Sequence, residues 1–262
     1  MEVDSLAGRH AIVTGGGRGI GAAIARELAA AGARLTITGR DAERLGDTAA
    51  ELARARPAAE IGTAVFDMTD DDALRRAFAE ASARFGAPYI LVNNAGQAEG
   101  ARFESTTREM WDRLLAVNVT AAFVATQEVL PAMLRARAGR IVNIASTAGL
   151  RGYARISAYC ASKHALVGMT RALALETAKH GITVNVVCPA YTATEMADRA
   201  VTAVAEGMNL SRGEAEARIA SVIPRGTLIT PEEVASLVAW LCSAGASGVT
   251  GQALAVAGGE LS

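Results

Sequence analysis

Residues 10–21 read His10-Ala11-Ile12-Val13-Thr14-Gly15-Gly16-Gly17-Arg18-Gly19-Ile20-Gly21, an apolar strand that runs through a glycine loop into a helix. Glycine at such a place lets the backbone turn sharply and approach a pyrophosphate. The anion then sits on the unpaired N–H groups of the helix N-terminus, where the dipole also favours it. A lone glycine-rich stretch is weak evidence. Its position between a first strand and a first helix makes Gly15, Gly17, Arg18, Gly19, Ile20 and Gly21 a candidate dinucleotide-phosphate site.

Outward from this loop, short runs rich in Val, Ile and Leu recur at 34–38, 61–66, 89–92, 140–144, 183–187 and 253–257. Near-continuous apolar runs are the pattern of strands covered on both faces. Between them, residues 20–31, 42–56, 70–85, 107–135, 157–180 and 231–242 have helical character. Asp70 to Asp72 can cap a helix start, Gly32 and Gly86 follow helix ends, and Pro231 suits a first turn. Strand–helix alternation from end to end predicts one doubly wound, Rossmann-type α/β domain over 1–262. Its parallel sheet has about seven strands, with helices on both faces.

The 262 residues carry 26 basic and 27 acidic side chains, a formal charge of −1, which argues against a nucleic-acid partner. No apolar run approaches the ~18 residues of a membrane span, and residues 1–8 lack a signal-peptide core, so no membrane partner is expected. Cys160, Cys188 and Cys242 are odd in number and widely spaced, which fits neither a disulfide framework nor a zinc knuckle. His10, His164 and His180 are grouped with no Cys, Asp or Glu at ligand spacing, so no metal site is expected. These features predict a soluble cytoplasmic protein. In 165–175 (ALVGMTRALAL) the helix is apolar nearly all round, so something beyond the sheet must cover it. A partner subunit is the simplest cover; a helix wedged inside one chain is the alternative.

At the end of the second strand a dinucleotide site selects its cofactor. A carboxylate there bonds the ribose hydroxyls of NAD, whereas a cation accepts the 2′-phosphate of NADP. The chain reads Ile37-Thr38-Gly39-Arg40-Asp41. With the strand ending at Gly39, no carboxylate fills the slot and Arg40 is at hand, with Arg18 close by; this favours NADP(H) over NAD(H). A register slip of two would instead give Asp41 the NAD role, and both arginines can also be read as solvated loop residues.

In Ser157-Ala158-Tyr159-Cys160-Ala161-Ser162-Lys163, Tyr159 and Lys163 stand four apart on one face of a helix start. A tyrosine of ordinary pKa ~10 is a poor proton donor or acceptor at neutral pH. A neighbouring ammonium and the positive end of a helix both lower that value. Ser146, just past the fifth strand, can bond a substrate oxygen beside the tyrosine, at the sheet end where open α/β folds place ligands. A Tyr-x-x-x-Lys pair alone is commonplace on surfaces; here it accompanies the glycine loop.

Together these motifs resemble the short-chain dehydrogenase/reductase family along essentially the whole chain. The matching elements are Thr14-Gly15-x-x-x-Gly19-x-Gly21, Asn93-Asn94-Ala95-Gly96, Asn118, Ser146 and Tyr159-x-x-x-Lys163, in order and at family spacing. The resemblance implies that Tyr159 is the general acid/base and that Ser146 orients the carbonyl. It implies that Lys163 holds the nicotinamide ribose and that Asn118 supports a proton-relay water. It also implies that Asp67, followed by Met68, contacts adenine, that Asn94, Ala95 and Gly96 line the cofactor cleft, and that the protein is a homotetramer. The family's usual Pro-Gly after the sixth strand is Pro189-Ala190 here, which puts the local loop path in question; Thr192 and Thr194 remain available near the nicotinamide amide.

The stretch from Pro189 to Pro224 is long for a loop and is expected to be a substrate lid at about 190–225. Met196, Ala200, Val201 and Val204 share one helical face; Ser211-x-x-Glu214 is a capping box followed by Ala215, Ile219, Val222 and Ile223. Two short helices joined at Gly207 are expected to turn their apolar faces over the cleft. Such a lid resembles those of 3-hydroxybutyrate dehydrogenases, while 140–149 (RIVNIASTAG) and Thr250-Gly-Gln-Ala-Leu resemble polyketide ketoreductases and 3-oxoacyl-thioester reductases. The expected activity is hydride transfer between NADP(H) and a small-molecule ketone or secondary alcohol, with a 3-oxoacyl thioester as substrate. The alternatives are an NAD-dependent hydroxy-acid or cyclic-alcohol dehydrogenase and a catalytically idle dinucleotide-binding protein.

Overall fold

The computed structural model describes residues 5–261. Seven strands form one parallel sheet: β1 His10–Thr14, β2 Arg34–Gly39, β3 Ile61–Val65, β4 Pro88–Asn93, β5 Gly139–Ile144, β6 Ile182–Pro189 and β7 Ala253–Val256, in the order β3-β2-β1-β4-β5-β6-β7. Alternate residues of one strand feed opposite cores. Val13, Val92, Val142 and Val187 pack beneath α1 (Gly19–Ala30), α2 (Ala42–Ala55) and α9 (Pro231–Cys242). Ile12, Leu91, Ile141 and Val184 face α3 (Asp71–Phe85) and α5 (Ala121–Ala136) on the other side. Burial on both faces is why these strands read as unbroken apolar runs. The order reverses between β1 and β4, so the crevice for a ligand opens at their carboxyl ends, beside Thr14 and Asn93.

The expected helix at 107–135 is not a single α-helix. It is α4 (Arg108–Leu115), a π turn (Ala116–Thr120) and α5. Periodicity cannot show the one-residue insertion of a π turn, a feature frequent at functional sites. The composite helix Arg108–Ala136, 29 residues, is long and apolar enough by length and composition to cross a membrane, contrary to the expectation that no run comes near that. Its apolar side is used inside the fold, where Val124, Ala125, Val129 and Met133 pack on the sheet. The expected helix 157–180 stays α-helical only over α6 (Ser157–Thr177), and a 3-10 turn completes it.

Two helices follow β6, α7 (Glu195–Met208) and α8 (Arg212–Ala220). The joint is not Gly207, which lies inside α7, but Asn209, whose left-handed φ of 52° ends the helix. The Ser211/Glu214 capping box of α8 is formed as the spacing predicts. His10 is a core histidine. Its Nδ1 bonds Gly86 O and its Nε2 bonds Thr36 Oγ1, at 2.8 and 2.9 Å, and burial pushes its pKa down.

Candidate active site

The glycine loop is shaped by contacts only glycine permits. Gly15 takes φ 66°, a region hostile to side chains. A Cβ on Gly21 would stand 2.1 Å from Gly15 O, so α1 closes onto the loop directly. Asn94 Nδ2 donates to Thr14 O and Gly15 O at 2.9 and 3.1 Å, and the Asn94 and Ala95 amides both donate to Thr14 Oγ1. Asn94 therefore ties the loop to the end of β4. No side chain caps the N-terminus of α1, which leaves its first-turn N–H groups to an anion.

β2 ends at Gly39, as the NADP reading requires, and Arg40 follows with its side chain largely exposed, 3.5 Å from Asp67 Oδ2. Asp41 is committed elsewhere. It caps α2 by accepting from Arg44 N at 3.1 Å, so the slipped register that would give it the ribose is not adopted. Arg18 and Arg44 both pair with the carboxylate of Glu195 at the start of α7. The sequence reading missed Arg44 and Glu195. They lie 151 residues apart, and no local spacing signals the pair. Asp67 accepts from the amide and hydroxyl of Thr69, which hold its carboxyl below the usual range; the neighbouring Arg40 adds to this. Met68 is buried beside Thr38.

The candidate reactive residues gather at the ends of β4, β5 and β6. Asn118, in the π turn, is buried; its Nδ2 donates to Gln97 O and Ser162 Oγ, and its Oδ1 accepts from Gln97 N. Gly96 lies against both Asn118 Oδ1 and Lys163 Nζ, where a Cβ would come within 3.1 and 3.5 Å. Ser146 opens the 3-10 turn Thr147–Gly149, its Oγ accepting from Ala148 N. Tyr159 is the third residue of α6, and Lys163 stands one turn later with Nζ 5.8 Å from the centre of the phenol ring.

The expected electrostatics need one correction. Lys163 Nζ donates to Ile144 O at 2.9 Å, and burial, not the ammonium, dominates the phenol. Burial pushes Tyr159 up to about 12, with the Ser146 hydroxyl pulling it down, and pushes Lys163 down to about 8. Cys188, at the end of β6, faces Ser146 and Lys163, and its thiol is pushed up to about 11 by burial. Spacing alone gave no hint of that neighbour.

Pro189 ends β6, and Ala190 N donates to Val256 O at 3.1 Å. The non-glycine residues with positive φ among those described are Arg137, Arg155 and Asn209, so Ala190 sits in ordinary backbone and does not distort the loop. Thr192 Oγ1 turns back to Ala190 O, and Thr194 reaches Gly19, where a Cβ would lie 3.1 Å from its Cγ2. The segment thus passes over the glycine loop. The lid faces differ from the expectation: Val201, Ala215 and Ile219 pack on one another, with Ala200, Val204 and Leu228 around them. Ile223 joins the main core, while Met196 and Val222 are exposed, so the apolar faces close on each other and not over the cleft.

The family model for short chain dehydrogenases matches residues 9–205. The chain is a short-chain dehydrogenase/reductase. It is 43% identical to the candidate ketoacyl reductase 1 of the granaticin polyketide synthase of Streptomyces violaceoruber, over 95% of this chain and 92% of that protein. It is 39% identical to a D-beta-hydroxybutyrate dehydrogenase of Cupriavidus necator, over 94% of this chain and 95% of that one. Among solved structures it is similar to a variant of actinorhodin polyketide ketoreductase with NADPH, at TM-score 0.93 and 39% identity, covering 99% of each chain. The short-chain dehydrogenase fold therefore carries an oxidoreductase of the ketoreductase kind.

Proposed function

We propose that this short-chain dehydrogenase/reductase is an NADP(H)-dependent reductase of 3-oxoacyl thioesters. The observation that carries the reading is the grouping of half-buried Ser146 and Tyr159 with buried Lys163 at the sheet's carboxyl end. The cofactor fits the residues present. Gly15 and Gly21 let the loop close tightly onto the start of α1, whose uncapped N–H groups suit a pyrophosphate, and Arg40 with Arg18 supplies cations where a carboxylate would mark NAD. When bound, the dinucleotide supplies the hydride that reduces the carbonyl carbon. Ser146 donates to the carbonyl oxygen and orients it. Tyr159 delivers the proton to that oxygen, and in the reverse direction accepts it from the alcohol. Lys163 would hold the ribose hydroxyls, and Asn118 would support the water that returns the proton to Tyr159. Asp67 and Met68 would border the adenine, Asn94 to Gly96 would line the cleft, and Thr192 and Thr194 would be available to the carboxamide.

A thioester is preferred to a free acid because several polyketide ketoreductases stand among the similar proteins and no sequence feature singles out a clamp for a small carboxylate. The hydroxybutyrate dehydrogenase likeness favours the second reading, an NAD-dependent hydroxy-acid dehydrogenase. Steady-state kinetics with an acetoacetyl thioester, acetoacetate and a cyclic ketone, each with NADPH and NADH, separates the two. The thioester with NADPH is expected to give the highest kcat/KM; acetoacetate with NADH leading would establish the second reading, and no turnover with any pair would point to an idle dinucleotide-binding protein. We further infer a homotetramer, because Phe123 on α5 and Leu175 on α6 are large apolar side chains left exposed, the latter 84%, and a cytoplasmic location, because the similar proteins are metabolic reductases. Light scattering that returned 26.9 kDa would refute the assembly.

A further inference from the structure

The turn that bears Ser146 is gripped from two sides. On its inner side it rests on α6, where a Cβ at Gly149 would stand 2.9 Å from Lys163 O. On its outer side the buried hydroxyl of Thr147 lies 2.9 Å from the phenol oxygen of Tyr153, which also bonds Glu260 Oε1. A carboxylate oxygen only accepts, so Tyr153 donates to Glu260 and accepts from Thr147. The chain of bonds ends one residue from Ser146.

Glu260 is an expensive anchor. Its side chain is 2% exposed, and its Oε2 is buried with no partner among the described residues. Arg151 spends one nitrogen on the Glu260 carbonyl at 3.1 Å and brings another only to 3.9 Å from Oε1. Its guanidinium lies over the Tyr153 ring at 4.6 Å. Among the described residues, Arg151, Tyr153 and Tyr191 are the ionisable groups facing this carboxylate. A buried, half-paired acid adds little to stability, and an apolar side chain would fill the same space at lower cost. What the acid does supply is a fixed acceptor for Tyr153. The backbone beside it is anchored too, since Gly258 O accepts from Arg225 N at 3.1 Å, just past α8.

We propose that Glu260 and Tyr153 are positioning residues that hold Ser146, through Thr147, in register with the Tyr159 phenol. This rests on the roles of Ser146 and Tyr159 proposed above. Supporting it, the Ser146 hydroxyl lowers the Tyr159 pKa, so a displaced serine has a signature in the pH profile as well as in rate. The test compares Tyr153→Phe, Glu260→Ala and Glu260→Gln with the wild type, using NADPH and the best ketone. The first two are expected to lose about 10–100-fold in kcat, the scale of a ~1 Å misplacement, while NADPH affinity stays within about twofold. Their kinetic pKa for alcohol oxidation should move upward. Glu260→Gln keeps an acceptor oxygen for Tyr153 and should recover most of the rate. Crystal structures of the two weak variants should show the Ser146 hydroxyl withdrawn from Tyr159. Unchanged kcat, a fall in kcat without a shifted pH profile, Glu260→Gln as weak as Glu260→Ala, or an unmoved Ser146 would each overturn the proposal. If the wild type reduces no ketone the functional reading fails, and the Ser146 displacement in the crystals still decides the positioning.

Discussion

Gly21→Ala should cripple the molecule through a single methyl group. The new Cβ would lie 2.1 Å from Gly15 O and 2.5 Å from Asn94 Nδ2. Neither obstacle is a free side-chain end: one is backbone, and the other is pinned by its bonds to Thr14 O and Gly15 O. Losing those two bonds costs about 1 kcal/mol each, and forcing the overpacked contact costs about 1–3 kcal/mol more. Alanine returns about 1 kcal/mol of helix propensity within α1. The net loss is about 2–4 kcal/mol, a fall in Tm of about 4–16 °C for a chain of this size. NADPH affinity, read by fluorescence titration, should fall at least about tenfold because the phosphate loop is displaced. The control is Gly46→Ala within α2, where a Cβ meets nothing within 4 Å. The same substitution there should raise stability by about 0.5–1 kcal/mol. Gly21→Ala with wild-type Tm and affinity, or both variants moving the same way, would refute the close-contact account of the loop.

Arg40→Ala is expected to weaken NADPH far more than NADH in direct titrations, since only the former carries a 2′-phosphate; equal losses, or a wild type that prefers NADH, would contradict the cofactor reading. Lys163 is shifted from 10.5 to about 8 by burial, so between those pH values the unfolded chain holds a proton that the folded one lacks, and stability gains with pH across that window. Cys188, Cys242 and Tyr159, all pushed upward, act in the opposite sense above pH ~9, so the readout is the difference in urea-unfolding stability between wild type and Lys163→Met. That difference should rise from pH 8 to 10.5; a flat one would show that Lys163 is not desolvated. Val201→Asp places a charge where Val201 is 2% exposed against Ala215 and Ile219. It should abolish amide-exchange protection in α7 and α8 while the strands keep theirs, and unchanged protection would mean the two helices do not depend on each other.

The central strands β1, β2, β4, β5 and β6 were legible because burial on both faces favours Val, Ile and Leu, and the glycine loop because its backbone contacts admit no side chain. Ser146, Tyr159 and Lys163 were legible as residue types at fixed places in the chain. What the chain did not disclose is contact between distant parts. The amphipathic faces of α7 and α8 announced burial but not that each would be the other's cover. The π turn at Asn118 leaves no trace in a 3.6-residue period. Glu195 meets Arg18 across 177 residues, and Tyr153 meets Glu260 across 107. The pKa expectation failed for a related reason: adjacency on one helix face suggested that Lys163 governs Tyr159, whereas depth of burial governs both.

The role of Tyr159 as the proton donor is tested most directly by Tyr159→Phe, which removes the transferable proton and little volume. NADPH oxidation should be followed with the best ketone at saturation, with NADPH affinity measured on the same preparation. General acid–base groups contribute about 10²–10⁴-fold; a loss of that size with affinity nearly intact is the predicted result. Turnover within about tenfold of the wild type would contradict it, since a loss that small falls below what removing a general acid costs.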